Sequence, residues 1–288
     1  MRPALLGRIA YAQHFWGALH TPSTFGAHCI RPALLGRIQC APTEEIRGIA
    51  NLNFEKPMPK IEPGYFLLNE LFFSIQGEGA SLGQPAIFIR LHLCNLKCSW
   101  CDTKYTWDPN DPAFNNYKPL TPSELVAQIL IYPCQRLVIT GGEPLLYSRQ
   151  IESLLELLPP EWQIEIETNG TLPATPFIRE RCQLNISPKL PSAHNRAKTI
   201  RPKILGQLAL GSNAWFKFVI ADEADYTAME QIIEAADLSR DRIIVMPEGQ
   251  TVEALREHGL AIVERVKVSG YRLLPRLHVL MYGNKRGI

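Results

Sequence analysis

Three cysteines in one loop, Cys94, Cys98 and Cys101, constrain this chain more than any other feature. They lie on the spacing CxxxCxxC within LHLCNLKCSWCDTKYTW. Thiolates this close can share an iron–sulfur cluster, and a loop that offers three of the four ligands of a 4Fe–4S cubane leaves one iron open to another molecule. Two other readings compete. Clustered buried thiols would want apolar neighbours, but Asn95, Lys97, Ser99 and Asp102 are polar. Structural zinc would need a fourth ligand such as His92 or Asp102, and zinc sites usually pair two short elements across a longer loop. The sequence has no second element of that kind.

The chain has 288 residues and is 46% hydrophobic, enough for one sizeable core. A net charge of +2 gives no bulk electrostatic reason to expect nucleic acid or a membrane surface as partner. No apolar run is long enough to span a bilayer. Seven cysteines, an odd number with three in one loop, fit a reducing compartment such as the cytoplasm rather than a disulfide framework. Cys29, Cys40, Cys134 and Cys182 are scattered and read as small apolar or incidental residues.

Residues 1–60 differ from the rest. RPALLGRI occurs at Arg2–Ile9 and again at Arg31–Ile38, and no acid precedes Glu44. Such an acid-free, Arg-bearing start resembles an organellar transit peptide. The exact repeat instead favours a poorly ordered or non-native extension, since two copies are too few for a solenoid. The Pro-rich Glu55–Gly64 reads as a linker into a core domain at 61–288.

From Leu68 the pattern is α/β. Apolar runs at Ala86–Leu91, Arg136–Thr140, Gln163–Glu167, Cys182–Ser187, Trp215–Ile220 and Arg242–Met246 read as strands. Helices are expected from Thr121 to about Tyr132, where Thr121-Pro-Ser-Glu124 forms a capping box, and at Ser148–Leu158, Asp225–Ala236 and Thr251–Val268. About six strands alternating with helices predict a parallel sheet and a partial, TIM-type barrel. The loop Ala193–Ser212 lacks a clear long helix, so one crossover is expected to be truncated.

Polar, Gly-rich motifs follow the strand C-termini, the edge where such folds bind ligands. Gly141-Gly-Glu-Pro144 could bring a carbonyl edge and Glu143 to an ammonium group. Thr168-Asn-Gly170 could bond a ribose, and Lys189 of Ser187-Pro-Lys189 could neutralise a carboxylate. Thr103 could join a Mg²⁺ shell. Arg90 could fork onto a substrate carboxylate, or serve a structural ion pair. Ile75-Gln-Gly-Glu-Gly79 could read the edge of a flat heterocycle.

SIQGEG, IFIRL, CNLKCSWCDTKYTW, TGGEP, ETNGT, SPK, MPEG and the closing RLHVLMYGNKRG together resemble the 7-carboxy-7-deazaguanine synthase family of radical S-adenosylmethionine (SAM) enzymes, over about Gly64 to Ile288. The resemblance implies a homodimeric, truncated radical SAM barrel in queuosine or deazapurine biosynthesis. It implies that 6-carboxy-5,6,7,8-tetrahydropterin is converted to 7-carboxy-7-deazaguanine with loss of ammonia, with flavodoxin or ferredoxin as reducing partner. Carried over by motif, Cys94, Cys98 and Cys101 ligate the 4Fe–4S cluster. Trp100, Cys101, Asp102, Gly142, Ser187, Pro188, Lys189, Met246, Pro247, Glu248 and Gly249 line SAM. Ile75, Gln76, Gly77, Arg90 and Thr140 hold the pterin, and Thr103 coordinates Mg²⁺. No residue takes a catalytic role beyond holding these groups. A radical SAM activase acting on a partner protein would share CxxxCxxC and GGEP but would not need QGEG or Arg90. A non-catalytic iron–sulfur or zinc protein would need none of the strand-end motifs.

Overall fold

A computed structural model describes residues 58–195, 199–283 and 285–288. The repeat and the first three residues of the linker, Glu55–Pro57, therefore lie outside the described residues. The organising element is one nine-stranded sheet. Its strands are β1 (Phe66–Ile75), β2 (Pro85–Leu91), β3 (Lys118–Leu120), β4 (Arg136–Gly141), β5 (Gln163–Thr168), β6 (Gln183–Ile186), β7 (Ala214–Ile220), β8 (Ile243–Pro247) and β9 (Arg272–Leu273). Their order is β3-β1-β2-β4-β5-β6-β7-β8-β9. The six expected strands form a continuous parallel run, which β9 extends. Three strands lie outside that expectation, β1, β3 and β9; β1 pairs antiparallel with β2 on one side and β3 on the other.

Side chains alternate across every strand, and here the two faces have opposite chemistry. Ile87, Ile89, Leu137, Ile139, Ile164, Ile166, Leu184, Phe216, Phe218, Ile243 and Val245 share the main core. That face packs on helices α1 (Pro122–Ile129), α2 (Ser148–Leu157), α3 (Pro176–Arg181), α4 (Pro202–Ala209), α5 (Glu223–Ala235) and α6 (Val252–Ser269). The opposite, concave face carries Arg90, Arg136, Thr140, Glu165, Glu167, Asn185 and Lys217 beside a small apolar patch of Ala86, Phe88 and Val138.

Helix starts follow local chemistry. Thr121 accepts from the Glu124 amide while the Glu124 side chain accepts from the Thr121 amide at 2.8 Å, so the capping box is complete. Asp222 and Thr251 cap α5 and α6 with the side chain alone, accepting from the Asp225 and Ala254 amides, and Gly270 ends α6 in a left-handed conformation. The expected loop Ala193–Ser212 contains α4, only eight residues long, so the crossover is short but helical. Two further helices escaped the periodicity because each is only six residues long, α3 and α7 (Leu277–Tyr282). Among the described residues no helix is long and apolar enough to cross a membrane.

The hairpin loop from Gln76 to Gln84 crosses the concave face. Gln76 Nε2 donates to Glu165 and Glu167 on β5, at 3.3 and 3.2 Å. Arg136 and Gln183, at the starts of β4 and β6, both donate to Ser81 Oγ. Gly79, at φ +72°, passes against the Asn185 side chain, where a Cβ would be crowded.

The alternation makes a prediction. Phe218→Ala, on the apolar face and fully buried, should lower unfolding free energy by about 3–5 kcal/mol in urea titrations.

Candidate active site

One cavity of about 300 Å³ opens above the concave face at the strand C-termini. Its lining includes all three loop cysteines, and a volume near 300 Å³ is typical of a small-ligand site. Of the expected SAM residues, Trp100, Cys101, Asp102, Gly142, Ser187, Lys189, Met246, Glu248 and Gly249 line it. Pro188 and Pro247 do not, although both neighbour residues that do. All five expected pterin residues, Ile75, Gln76, Gly77, Arg90 and Thr140, line the same space, as does Thr103.

The glycine pair shapes the cysteine loop. Gly142 N donates to Leu91 O at 2.9 Å and Glu143 N to Leu93 O at 2.8 Å. A Cβ at Gly142 would strike the Leu93 carbonyl and the Cys94 amide. Gly142 therefore lets the end of β4 lie flush against the backbone that enters the cysteine loop. Glu143 corrects the expectation that it meets an ammonium group. It is fully buried, absent from the cavity lining, and accepts from Leu145 N, Thr168 Oγ1 and Asn169 N at 2.9, 2.7 and 2.8 Å. Its carboxylate ties the turn after β4 to the turn after β5, and burial pushes its pKa upward.

The cysteine environment separates the metal readings. Among the described residues, no three His, Cys, Asp or Glu side chains gather tightly enough to hold one metal ion. A cubane does not require that, because each thiolate binds a different iron. Of the potential fourth ligands for zinc, Asp102 is engaged elsewhere, and His92 is fully buried outside the cavity that the cysteines line, although its Nε2 has no hydrogen-bond partner. His92 stacks on Tyr117, with ring centroids 4.5 Å apart, and its Nδ1 lies 3.0 Å from Asn69 Oδ1. Asp102 pairs with Arg276 at 2.5 Å. Burial pushes the Cys94 thiol up to about 12, so this sulfur is not a free nucleophile and would become a thiolate through a metal bond.

The remaining walls are charged. Glu78 receives Lys217 from β7 and Arg276 from the segment before α7, the latter at 2.8 Å. Arg276 continues to Asp102, so one guanidinium holds two carboxylates, and its Nη1 also donates to Gly249 O at 3.1 Å. Burial alone would raise the Glu78 carboxyl, yet Lys217 and Arg276 hold it well below the usual range. Arg90 Nε donates to Glu70 at 2.8 Å, so the expected structural ion pair exists while the guanidinium still lines the cavity. Thr140 donates to Glu167 at 2.7 Å. Lys189 donates to Ser187 Oγ at 3.0 Å and its Nζ lies 5.6 Å from the Trp100 ring centroid.

The residues 88–205 match the Radical SAM superfamily model. A 7-carboxy-7-deazaguanine synthase of Pyrobaculum aerophilum is 37% identical over 225 residues, 76% of this chain and 95% of that protein. One of Hyperthermus butylicus is 34% identical over 74% of this chain and 91% of its own length. This chain belongs to the 7-carboxy-7-deazaguanine synthase family. It is a radical SAM enzyme, of a superfamily that uses a 4Fe–4S cluster and SAM. The crystal structure of QueE from Escherichia coli superimposes with a TM-score of 0.58 at 26% identity, over 74% of this chain and 95% of that one. The partial barrel expected from the strand count is therefore the family's fold.

Sequence reasoning missed Lys217, Arg276, His278 and Arg286 as cavity residues. Lys217 carried a signal, being a cation inside the otherwise apolar WFKFVI. The other three lie in the closing segment, whose place over the cavity only the fold reveals.

Glu78→Gln leaves Lys217 and Arg276 facing a neutral amide, and should cost about 3–5 kcal/mol at neutral pH in urea titrations. The folded Glu78 pKa lies below its unfolded value of 4.5, so the pairing stabilises the fold above that pH and is lost as pH falls through the depressed value. The variant should accordingly show a flatter acid limb of stability against pH. Separately, Gly142→Ala should displace the cysteine loop and sharply reduce reconstituted iron and sulfide per chain, measured by metal analysis.

Proposed function

We propose that this enzyme converts 6-carboxy-5,6,7,8-tetrahydropterin to 7-carboxy-7-deazaguanine with loss of ammonia, using Mg²⁺ beside its cluster and SAM. The observation that carries the reading is a single cavity lined at once by the three cysteines, by Arg90 and by the QGEG loop. A protein-activating enzyme would have no need of that small enclosed wall. The motif resemblance and the synthases of the comparisons support the same substrate.

Cys94, Cys98 and Cys101 would hold the cluster. Met246 in β8 and Glu248 and Gly249 just beyond it, with Gly142, Ser187 and Lys189, would hold SAM; Pro188 and Pro247 would support those turns from outside the lining. When bound, the cluster and SAM supply one-electron reductive cleavage and, through it, hydrogen-atom abstraction from the substrate.

The chain's own residues bind and orient. Arg90 presents a planar cation to the pterin carboxylate, its Nε already fixed by Glu70. Glu167, braced by Gln76 and Thr140, offers carboxylate acceptors to the N–H edge of the heterocycle. Ile75, Gln76 and Gly77 form the wall beneath that ring. Lys189 supplies positive charge for the SAM carboxylate, stacked near Trp100. Thr103 would give its hydroxyl to Mg²⁺, with substrate oxygens and water completing the shell. In this structure that hydroxyl sits 3.5 Å from Cys101 Sγ, at the cavity wall. Lys285, Gly287 and Ile288 line the cavity from the C-terminal side and help exclude water. The enzyme works as a homodimer and draws electrons from a flavodoxin or ferredoxin in the cytoplasm.

The test is anaerobic. Reconstituted enzyme with SAM, reductant, Mg²⁺ and 6-carboxytetrahydropterin should form 7-carboxy-7-deazaguanine, read by mass spectrometry, in excess over SAM consumed. Release of 5′-deoxyadenosine and methionine without this product would discard the substrate while keeping the chemistry. Cys98→Ala should abolish cluster uptake and turnover together. Arg90→Lys should raise KM by about tenfold or more, because an ammonium cannot reproduce the forked pairing.

A further inference from the structure

Each cluster-loop sulfur is met by a side-chain N–H. Trp107 Nε1 donates to Cys101 Sγ at 3.3 Å and Asn195 Nδ2 to Cys98 Sγ at 3.1 Å, while Asn169 Nδ2 reaches toward Cys94 Sγ at 3.9 Å. The two short contacts are built by the fold. A 3-10 turn at Lys104–Thr106 reverses the chain, so Trp107 returns over Cys101. Thr106 anchors that turn: it is fully buried, its hydroxyl donates to Thr103 O at 2.8 Å, and its carbonyl accepts from Leu93 N at 2.7 Å. Asn195 is oriented by its own oxygen, which accepts from Lys97 N at 2.9 Å and so turns the amino group to Cys98. Asn169 is committed differently. Its Nδ2 lies 2.9 Å from Asn95 Oδ1 and its Oδ1 accepts from Thr171, so its sulfur contact is secondary.

We propose that Trp107 and Asn195 tune the reduction potential of the cluster through N–H···S bonds to Cys101 and Cys98. This deepens the assignment of the three cysteines as cluster ligands and rests on it. In the step concerned, the cluster takes one electron from a low-potential one-electron donor, and no bond forms or breaks. The added electron increases negative charge on the thiolate sulfurs. A fixed N–H donor therefore binds the reduced form more strongly than the oxidised form, and raises the potential. Both donors lie in partly buried surroundings, where such a bond is less diluted by water. Asn169, with its longer contact, contributes less.

The experiment is an EPR-monitored redox titration of reconstituted full-length enzyme. Trp107→Phe and Asn195→Leu remove the donors while keeping apolar bulk. At a fixed potential, each should lower the ratio of reduced to oxidised cluster by about threefold to tenfold, tenfold being about 59 mV for a one-electron couple. Trp107→His restores a ring N–H and should move the midpoint back toward wild type. Unmoved midpoints in both loaded variants overturn the proposal. If Trp107→Phe takes up no cluster, pulsed EPR on Trp100→Phe enzyme carrying ¹⁵N-indole tryptophan decides. A ¹⁵N coupling to the reduced cluster supports the Trp107 contact, and its absence overturns it. Wild-type protein that binds no iron and sulfide overturns the cluster assignment itself, and this inference with it.

Discussion

The interior of this molecule depends on keeping Glu78 charged. Its carboxylate sits between Lys217 and Arg276, and Arg276 reaches on to Asp102 beside Cys101. This chain of charges joins the β1–β2 hairpin loop, strand β7, the C-terminal segment and the cysteine loop. Those four parts come from widely separated stretches of sequence. An unpaired charge here would be costly, since all three side chains are mostly buried. With partners on both sides, the same burial becomes a positional constraint. Leu277 N donating to Gly77 O at 2.9 Å secures the contact between hairpin loop and C-terminal helix through the backbone as well.

A second constraint acts at the glycine pair. A strand end that carries no Cβ can approach another backbone closely, and Gly142 uses this to dock against Leu93 and Cys94. Leu93 itself adopts a left-handed backbone, φ +70°, held from one side by Thr106 O and from the other by Glu143 N. The chain turns out of β2 there and delivers Cys94 to the cavity. Function and local strain thus meet at one residue, and the buried Glu143 carboxylate fastens the neighbouring turn without touching the cavity.

Much of the architecture was legible where local chemistry decides it. The capping box at Thr121 and Glu124, the six apolar runs and the placement of motifs after strands all depend on neighbours in sequence, and the structure reproduces them. What escaped depends on distant partners. QIEIET reads as a strand, but nothing near Glu165 announces that Arg136 and Gln76 will satisfy it. Glu143 looked like a ligand for an ammonium group because GGEP offers an acid beside two glycines. Only the return of Thr168 and Asn169 shows that its carboxylate is already satisfied. The antiparallel β1 and β3 were hidden because a register shift between Leu68 and Glu70 breaks the alternation of β1, and β3 has three residues, too short for periodicity to register. The motifs point to much of the cavity lining, whereas Arg276 and Arg286 join that lining only through tertiary return of the tail.

The polar concave face explains why the barrel is left partial. A closed eight-stranded barrel fills its interior with layers of its own branched side chains. Here the inward positions of β4, β5, β6 and β7 hold Arg136, Glu165, Glu167, Asn185 and Lys217, which cannot pack as an apolar layer. They need partners, and the hairpin loop brings Gln76, Glu78 and Ser81 across to them. The sheet can stay open on the β9 side because the loop, together with α7, occupies the space that strands would otherwise enclose. Gln76 and Glu78, which satisfy the interior from below, therefore also line the cavity. Acids and amides there are already fixed by one another, so a polar substrate bound above them, as proposed, would require little further ordering.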